Sequence, residues 1–242
     1  MSDKREERPK ENSLPVLTDA DIVMYRSAWS ANKETEEVAL DKVDEVIGYI
    51  YNGTGGEFPD KDLHKFYLSG KGNFRYDIAV TAPYKGNRKG LESPQHKDAI
   101  REYLISQYSA IESAGEESDD LIAITSASMG YDCIVATTDK DFNQLPCWLY
   151  NFSYNTWQKP TEFEATKNFY TQILTGDTVD NIKGLYGIGP VKAGKILEDS
   201  KSEKEMWEAC LKAYDNDYDR VLENARLLWL RRREEEMWVP PA

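Results

Sequence analysis

The sequence predicts an α/β fold with a mostly parallel central sheet flanked by helices, followed by a helical C-terminal part. Strand-like runs alternate with helical stretches before Thr161, which is typical of such a fold. From Thr161 onward the pattern is helical apart from one glycine-rich turn. The run Cys133–Thr138 is strand-like throughout, as expected of a parallel strand buried on both faces.

Each predicted element has its own local pattern. Apolar residues at helical spacing predict a helix over Thr35–Tyr51 that stops at Asn52 and Gly53. Further helices are predicted from about Pro94 to Ser113 and over Ser118–Met129. The predicted strands are short runs rich in apolar, aromatic or β-branched residues: Leu14–Thr18, Lys65–Leu68, Cys133–Thr138 and Trp148–Phe152.

These elements suggest three regions. Residues 1–12 form a charged, polar arm that we expect to be disordered. Residues 13–160 form the α/β domain, with a basic loop and short arch at about 82–113. Residues 161–242 form the helical C-terminal region, with a glycine-rich hairpin at 182–195.

Composition excludes several classes of protein. The 242 residues are 40% hydrophobic, enough for a buried core, yet no apolar run approaches the roughly 20 residues of a membrane span. The charged N-terminus does not resemble a signal peptide. Three widely separated cysteines indicate neither a disulfide framework nor a thiolate metal site. We therefore expect a cytoplasmic protein with no membrane partner.

Acidic residues gather in three short segments, each beside an apolar run: Glu117–Asp120, Asp139–Asp141 and Asp177–Asp180. Carboxylates brought together repel one another unless a cation lies between them. Clustered oxygen ligands without His or Cys suit Mg²⁺ or Mn²⁺. The candidate metal ligands are Asp19, Glu117, Asp119, Asp120, Asp139, Asp141, Asp177 and Asp180.

Their positions favour one shared site. Asp139 directly follows a predicted strand, where open α/β sheets place their ligands, and Asp19 follows the first strand. Such a set can hold two divalent ions about 4 Å apart, which polarise a phosphodiester and activate a water molecule. The alternatives are that the acidic pairs cap helices and that Asp139–Asp141 is a solvated turn.

Two segments carry positive charge although the net charge is −13, which by itself argues against a nucleic-acid partner. Gly187, Ile188 and Gly189 allow a tight turn, and Lys192 and Lys195 follow it, an arrangement suited to gripping a DNA backbone. A turn of this kind is also a common helix connector.

The loop at Tyr84 combines an aromatic ring with two cations, Lys85 and Arg88. Such a loop can stack on a base and clamp phosphates. The alternative is an ordinary basic surface loop.

Taken in order, these motifs resemble the 5′ nuclease superfamily of flap endonuclease type, especially phage 5′→3′ exonucleases and the 5′ nuclease domain of bacterial DNA polymerase I. The resemblance runs through Asp19, Tyr84–Arg88, Glu117–Asp120, Thr138–Asp141 and Gly176–Ala193. It covers roughly residues 14 to 200 and implies a PIN-like nuclease domain followed by a helix–hairpin–helix-like motif.

The resemblance also implies a role for each matched position. Lys85 and Arg88 would be catalytic and stabilise charge at the scissile phosphate, and Tyr84 would stack on a base. The turn at Gly187–Gly189 would hold duplex DNA together with K⁺. One metal ion would be bound by Glu117, Asp119, Asp120 and Asp139, the other by Asp141, Asp177 and Asp180, with Asp19 near the pair.

The chain departs from the family at two places. Family members carry an Asp at the end of the second strand, where this sequence has Ser69 or Gly70, and Asp77 is out of register. Only 31 residues separate Lys85 from Glu117, which leaves room for a short arch and favours action at 5′ ends.

The predicted function is a Mg²⁺- or Mn²⁺-dependent 5′→3′ exonuclease that hydrolyses duplex DNA in phage replication or recombination. The predicted substrates are double-stranded DNA with 5′ ends or flaps and the RNA of RNA:DNA hybrids, in the cytoplasm of an infected bacterium. The alternatives are a structure-specific flap endonuclease of the same fold and a catalytically impaired DNA-binding relative. The sequence indicates no oligomeric state.

Overall fold

The structure is a computed structural model that describes residues 9, 14–55 and 63–242. The chain divides into two compact units. Most of the predicted arm, residues 1–12, lies outside the described residues, and the domain boundary placed near residue 160 stays a prediction. The first unit comprises Met1–Gly72, Glu92–Phe142 and Cys147–Lys159, and the second comprises Asn73–Leu91, Asn143–Pro146 and Pro160–Ala242.

The first unit contains a sheet of six strands in the order β3-β2-β1-β4-β5-β6. All neighbouring pairs are parallel except β5 and β6. The predicted mostly parallel sheet is therefore confirmed. The strands are β1 Val16–Asp19, β2 His64–Lys71, β3 Ile111–Ala114, β4 Ile134–Ala136, β5 Trp148–Asn151 and β6 Thr156–Gln158, and a small separate hairpin in the second unit consists of β7 Gly176–Asp177 and β8 Ile182–Lys183.

The helices follow the predicted alternation with the strands. Those numbered 1, 2, 4 and 5 belong to the first unit and the others to the second. In chain order they are α1 Ala20–Ser30, α2 Glu36–Thr54, α3 Arg75–Ile78, α4 Lys97–Tyr108, α5 Ser118–Ser128, α6 Glu162–Thr175, α7 Pro190–Ile196, α8 Glu203–Ala213 and α9 Tyr218–Leu228.

The helix predicted from about Pro94 to Ser113 is wrong after Tyr108. The helix ends at Tyr108 because Ser109 adopts a left-handed conformation with φ of 54°. The chain then enters β3, which pairs with β2 in parallel. The spacing of apolar residues in this short segment did not reveal the break.

The strand order places a switch point between β1 and β4. Both strands run in the same direction and pair directly, with Val16 opposite Ile134. In open α/β sheets, ligands bind outside the carboxyl ends of the strands at such a point. Asp19 is the last residue of β1, and Asp139 follows β4 by three positions. Sheet topology thus brings two of the predicted acids to the expected edge.

The second unit is mainly helical, as predicted. Its core is built on aromatic side chains of α6 and α8 together with Trp238 near the C-terminus. The ring of Phe169 lies 5.6 Å from that of Trp238, and the ring of Trp207 lies 5.4 Å from it. Burial of such large side chains stabilises the helical packing. In the part of the chain that the structure describes, no helix is long and apolar enough to cross a membrane.

Candidate active site

Asp19 is held rigidly at the carboxyl end of β1. Its side chain is 2% exposed. Oδ1 accepts a hydrogen bond from the backbone N–H of Ile22 at 3.3 Å, so Asp19 caps α1. Oδ2 accepts a hydrogen bond from the hydroxyl of Thr137 at 3.0 Å. The carboxylate is therefore fixed between β1 and the end of β4.

Thr137 links two of the predicted acids, and the sequence analysis did not single it out. Its hydroxyl donates to Asp19 and accepts the backbone N–H of Asp139 at 3.0 Å. Asp139 Oδ1 in turn accepts the backbone N–H of Asp141 at 2.9 Å. A β-branched polar residue directly after a buried strand is the signal that could have identified Thr137.

The acids of the first unit repel one another strongly. Burial, followed by the charges of Asp21 and Asp139, raises the pKa of Asp19 from 3.8 to about 8. Burial, followed by the charges of Asp19, Asp139 and Glu117, also raises the pKa of Asp119 well above its usual range. Each carboxylate thus disfavours ionisation of its neighbours. A bound cation would relieve this repulsion.

The start of α5 divides its acids between two roles. Asp120 is fully buried and accepts a hydrogen bond from the backbone N–H of Glu117 at 3.4 Å. It therefore caps the helix, which is the alternative that the sequence left open. Asp119 is only partly buried and acts electrostatically on Asp19 and Asp139. Asp119 and Asp120 both stay predicted metal ligands, and Asp120 in addition fixes the start of α5.

The donor set fits a hard divalent cation. Asp19, Asp119 and Asp139, with Glu117 nearby, offer only carboxylate oxygens, which Mg²⁺ and Mn²⁺ prefer. Among the described residues, no group of three or more Asp, Glu, His or Cys side chains is arranged so that it could hold a metal ion by itself. Mg²⁺ commonly retains several waters and uses one or two carboxylates together with substrate phosphates. The arrangement suits that mode of binding.

Asp21 is an acid of this cluster that sequence reasoning missed. Its Oδ2 accepts hydrogen bonds from the backbone N–H of Ser69 and the hydroxyl of Ser118, both at 3.0 Å. Its charge raises the pKa of Asp19. The Asp-x-Asp spacing of Asp19 and Asp21 matches that of Asp139 and Asp141, and this repeated spacing could have identified it.

In the second unit, Asp177 shapes a tight hairpin. Its side chain is 5% exposed, and Oδ1 accepts the backbone N–H groups of Val179 at 2.7 Å and Asp180 at 3.2 Å. A Cβ at Gly176 would lie 2.2 Å from the backbone nitrogen of Gly184, so a side chain cannot fit there. Glycine and Asp177 together fold the loop that presents Asp180.

Asp180 lies among the cations of the basic loop. Its Oδ1 is 2.7 Å from the guanidinium of Arg88 and 3.8 Å from the ammonium of Lys85. Its backbone carbonyl accepts the N–H of Lys85 at 2.9 Å. The structure therefore brings together three residues that the sequence placed in one site, Lys85, Arg88 and Asp180, within the second unit.

The ring of Tyr84 is buried in the core of the second unit. It is 4% exposed, and its hydroxyl donates to Asp180 Oδ2 at 2.7 Å. The exposed aromatic beside it is Tyr76, which is 58% exposed and packs edge to face against Tyr84 at 5.5 Å. The base-stacking role of Tyr84 stays a prediction, and Tyr76 is the ring that faces solvent.

The glycine-rich turn leads from β8 into α7. Gly187 has a left-handed φ of 72°, which favours glycine, and its carbonyl accepts the ammonium of Lys192 at 2.8 Å. Gly189 is the N-cap of α7 and Pro190 its first residue. Ile188 packs against the core, whereas Lys192 and Lys195 are exposed. The turn thus presents two lysines to solvent from a fixed backbone.

Several curated proteins are similar to this chain over part of its length, although no family model matches it. DNA polymerase I of Rhizobium leguminosarum is 33% identical over 148 residues, covering 52% of this chain and 14% of the polymerase. Flap endonuclease Xni of Vibrio parahaemolyticus is 32% identical over 166 residues, covering 61% of this chain and 64% of the relative.

Solved structures share the fold over nearly the whole chain. The D15 flap endonuclease of bacteriophage T5, solved with DNA and metal ions, gives a TM-score of 0.66 at 15% identity and covers 88% of both chains. The catalytic core of Rad2 with a DNA substrate gives 0.56 at 15% identity, covering 88% of this chain and 73% of that one. At this identity the likeness shows the fold alone. Part of the sequence is thus similar to DNA polymerase I and to flap endonuclease Xni, and the fold is similar to that of 5′ nucleases.

This relationship confirms the resemblance and the PIN-like α/β fold with a helical C-terminal part. The matched segments, however, make up only part of each relative's length. The matched segment spans 51% of flap endonuclease Xni of Shewanella baltica, about half its length, and 14% of the Rhizobium polymerase. What these 5′ nuclease relatives do as whole proteins is therefore a matter of proposal for this chain.

Proposed function

We propose that this protein is a divalent-metal-dependent 5′→3′ exonuclease that hydrolyses phosphodiester bonds of duplex DNA. The observation that carries the proposal is the group of mutually repelling carboxylates, Asp19, Asp119 and Asp139, at the switch point of the sheet. The names of the relatives support a nuclease. The proposed setting is phage replication or recombination in the cytoplasm of an infected bacterium.

The acids divide into two proposed ligand groups. Asp19, Glu117, Asp119, Asp120 and Asp139 serve one ion, and the capping bond of Asp120 occupies only its Oδ2. Asp177 and Asp180 are the proposed ligands of the other ion, and the place of Asp141 beside them stays a prediction from the resemblance. Bound Mg²⁺ or Mn²⁺ supplies charge neutralisation at the phosphate and an activated water. Structures of the phage T5 nuclease have been solved with bound metal ions, which supports a metal cofactor here.

Lys85 and Arg88 have a proposed role in stabilising negative charge on the scissile phosphate. Both cations lie against Asp180 in this structure. A phosphate that approaches them therefore competes with the Asp180 carboxylate. Cations held close together in this way can stabilise the negative charge that develops on a phosphate once they contact it.

The turn Gly187–Gly189 has a proposed role in holding duplex DNA with K⁺. Lys192 and Lys195 would contact phosphates without reading sequence. The T5 and Rad2 nucleases have been solved in complex with DNA, which supports a DNA partner here. Double-stranded DNA with 5′ ends and RNA:DNA hybrids are the proposed substrates.

A structure-specific flap endonuclease is the second candidate function. It is favoured by the name of the Vibrio relative, flap endonuclease Xni. The test is digestion of 5′-labelled duplex, flap and RNA:DNA hybrid substrates with Mg²⁺ and with Mn²⁺. Mononucleotides and short products from a duplex support the exonuclease, whereas a single cut at the flap junction supports the endonuclease.

The control in that assay is Asp139→Asn, which keeps the size of the side chain and removes its charge. Its expected effect is loss of cleavage by at least ~10³-fold, since metal binding contributes several kcal/mol to transition-state stabilisation. Absence of cleavage in the unaltered protein, with DNA binding retained, would instead support the catalytically impaired relative. Absence of both would overturn the nuclease proposal.

A further inference from the structure

The Asp21 carboxylate has one oxygen that is fixed and one that is free. Oδ2 accepts hydrogen bonds from Ser69 N–H and from the hydroxyl of Ser118. Oδ1 accepts no hydrogen bond from any residue that the structure describes. Two donors that orient a carboxylate in this way leave its second oxygen available for another ligand.

Ser69 lies where the pairing of β2 with β3 is irregular. The pairing of β2 with β3 shifts register between Leu68 and Lys71. A Cβ at Gly70 would lie 1.8 Å from the carbonyl oxygen of Ser113, so no side chain fits at that position. Ser69 is therefore the residue through which β2 reaches the cluster.

Ser69 uses both its backbone and its side chain to organise the acids. Its Oγ accepts the backbone N–H of Ser118 at 3.0 Å and lies 3.2 Å from the Ser118 hydroxyl. The guanidinium of Arg101 donates to the Ser69 carbonyl at 2.8 Å, which holds this irregular segment from the other side. Ser69 and Ser118 thus hold Asp21 beside the first turn of α5.

Asp21 lies within electrostatic reach of the acids that form the proposed metal site. Its charge acts on both Asp19 and Asp119. It belongs to the first turn of α1, directly after Asp19 at the end of β1. The free oxygen therefore belongs to a carboxylate that is already part of the same negative cluster.

We propose that Asp21 supplies a further carboxylate oxygen to the divalent ion of the first unit, in place of an acid on β2. This rests on the proposed function, because it requires that Asp19, Asp119 and Asp139 hold an ion. Ser69 and Ser118 are positioning residues that keep Oδ2 occupied. The apparent loss of an acid at Ser69 is thus compensated from α1.

The test is a calorimetric titration of the metal-free protein with Mn²⁺ and no DNA. Asp21→Asn should weaken Mn²⁺ binding about tenfold or more. The matched control is Asp41→Asn, an exposed acid on α2, which should leave the affinity unchanged. Asn retains an acceptor for the Ser69 N–H, so the metal-free melting temperature should not fall. An unchanged affinity in Asp21→Asn would overturn the proposal.

A second variant distinguishes the loss of a metal ligand from a disturbance of the packing around Asp21. In Asp21→Asn combined with Ser69→Asp, an acid returns from β2, and Mn²⁺ affinity should recover to within a few-fold of the original. A double variant that binds no better than Asp21→Asn would assign the loss to the serine network and overturn the proposal. If the unaltered protein neither binds Mn²⁺ nor cleaves DNA, the proposed function fails as well; if it does both, only the role of Asp21 is at issue.

Discussion

The buried and half-buried acids of the two units have opposite electrostatic surroundings. In the first unit, Asp19 and Asp119 face other carboxylates, and both have raised pKa values. In the second unit, Asp180 contacts Lys85, Arg88 and the hydroxyl of Tyr84. Among the described residues, no cation pairs with Asp19. The charge of Asp180, by contrast, is compensated by Lys85 and Arg88.

Because of this difference, we expect the two units to differ in how strongly they bind a divalent cation. We expect a divalent ion to stabilise the first unit directly, because it would relieve repulsion among acids. An ion at Asp180 would first have to displace Arg88 and Lys85. We therefore expect tighter metal binding in the first unit, and the following experiments test that contrast.

The largest expected effect is a dependence of stability on pH in the metal-free protein. Burial, then Asp21 and Asp139, raises the pKa of Asp19 from 3.8 to about 8. The contribution of this group is fully present below pH 3.8 and is lost as the pH rises towards 8, because the unfolded chain ionises more readily. We expect a loss on the order of a few kcal/mol in unfolding free energy.

Calorimetric unfolding in EDTA between about pH 5 and 8 measures this loss. Added Mg²⁺ should raise the melting temperature more at pH 8 than at pH 5. Asp19→Asn can still accept the hydrogen bonds of Ile22 and Thr137 but cannot ionise, so its metal-free melting temperature should fall less with pH. If the melting temperatures of the two proteins depended equally on pH, ionisation of Asp19 would not destabilise the fold. The proposed contrast between the two units would then be wrong.

The next effect concerns the cations of the second unit. Lys85→Met keeps the aliphatic chain and removes the charge, so DNA cleavage should slow by about 10²- to 10³-fold. Mn²⁺ affinity measured without DNA should not change, because the acids of the first unit are intact. The matched control is Lys89→Met, an exposed neighbour, which should cleave within a few-fold of the original rate.

A result in which Lys85→Met weakened Mn²⁺ binding while sparing the single-turnover rate would contradict this assignment. It would mean that Lys85 organises a metal site rather than the phosphate. Single-turnover kinetics at saturating DNA separate these readings, because they report chemistry without product release.

The sequence predicted the fold, and the position of two candidate acids in it, because the deciding patterns are local. The continuous strand before Asp139 and the strand before Asp19 placed both acids at the sheet edge. The break after Tyr108 was missed because one left-handed residue, Ser109, ends the helix. Residue type alone does not reveal that conformation.

Long-range contacts explain what the sequence could not show. Asp21 is tied to Ser69 and Ser118, which are 48 and 97 positions away. Tyr84, which the resemblance predicted to stack on a base, packs in a core that forms from distant helices.

A smaller effect is expected at the glycine-rich turn. Lys192→Ala should weaken DNA binding uniformly across sequences and reduce the slope of log affinity against log salt by about 1. The measurement is fluorescence anisotropy in EDTA over a KCl series, in the Asp139→Asn background to prevent cleavage. Lys204→Ala, an exposed lysine on α8, is the control and should keep the slope. An unchanged slope in Lys192→Ala would remove this turn from the DNA contact.

The smallest effect tests whether Asp180 is compensated by the chain itself. Tyr84→Phe removes the 2.7 Å hydrogen bond to Asp180 Oδ2 and keeps the ring that packs against Tyr76. The unfolding free energy should fall by about 1–2 kcal/mol, because a hydrogen bond to a charged group is lost. Since Arg88 and Lys85 still pair with Asp180, this loss should be the same with and without Mg²⁺. If Mg²⁺ reversed it, Asp180 would behave like the acids of the first unit, and both units would depend on metal for their charge balance.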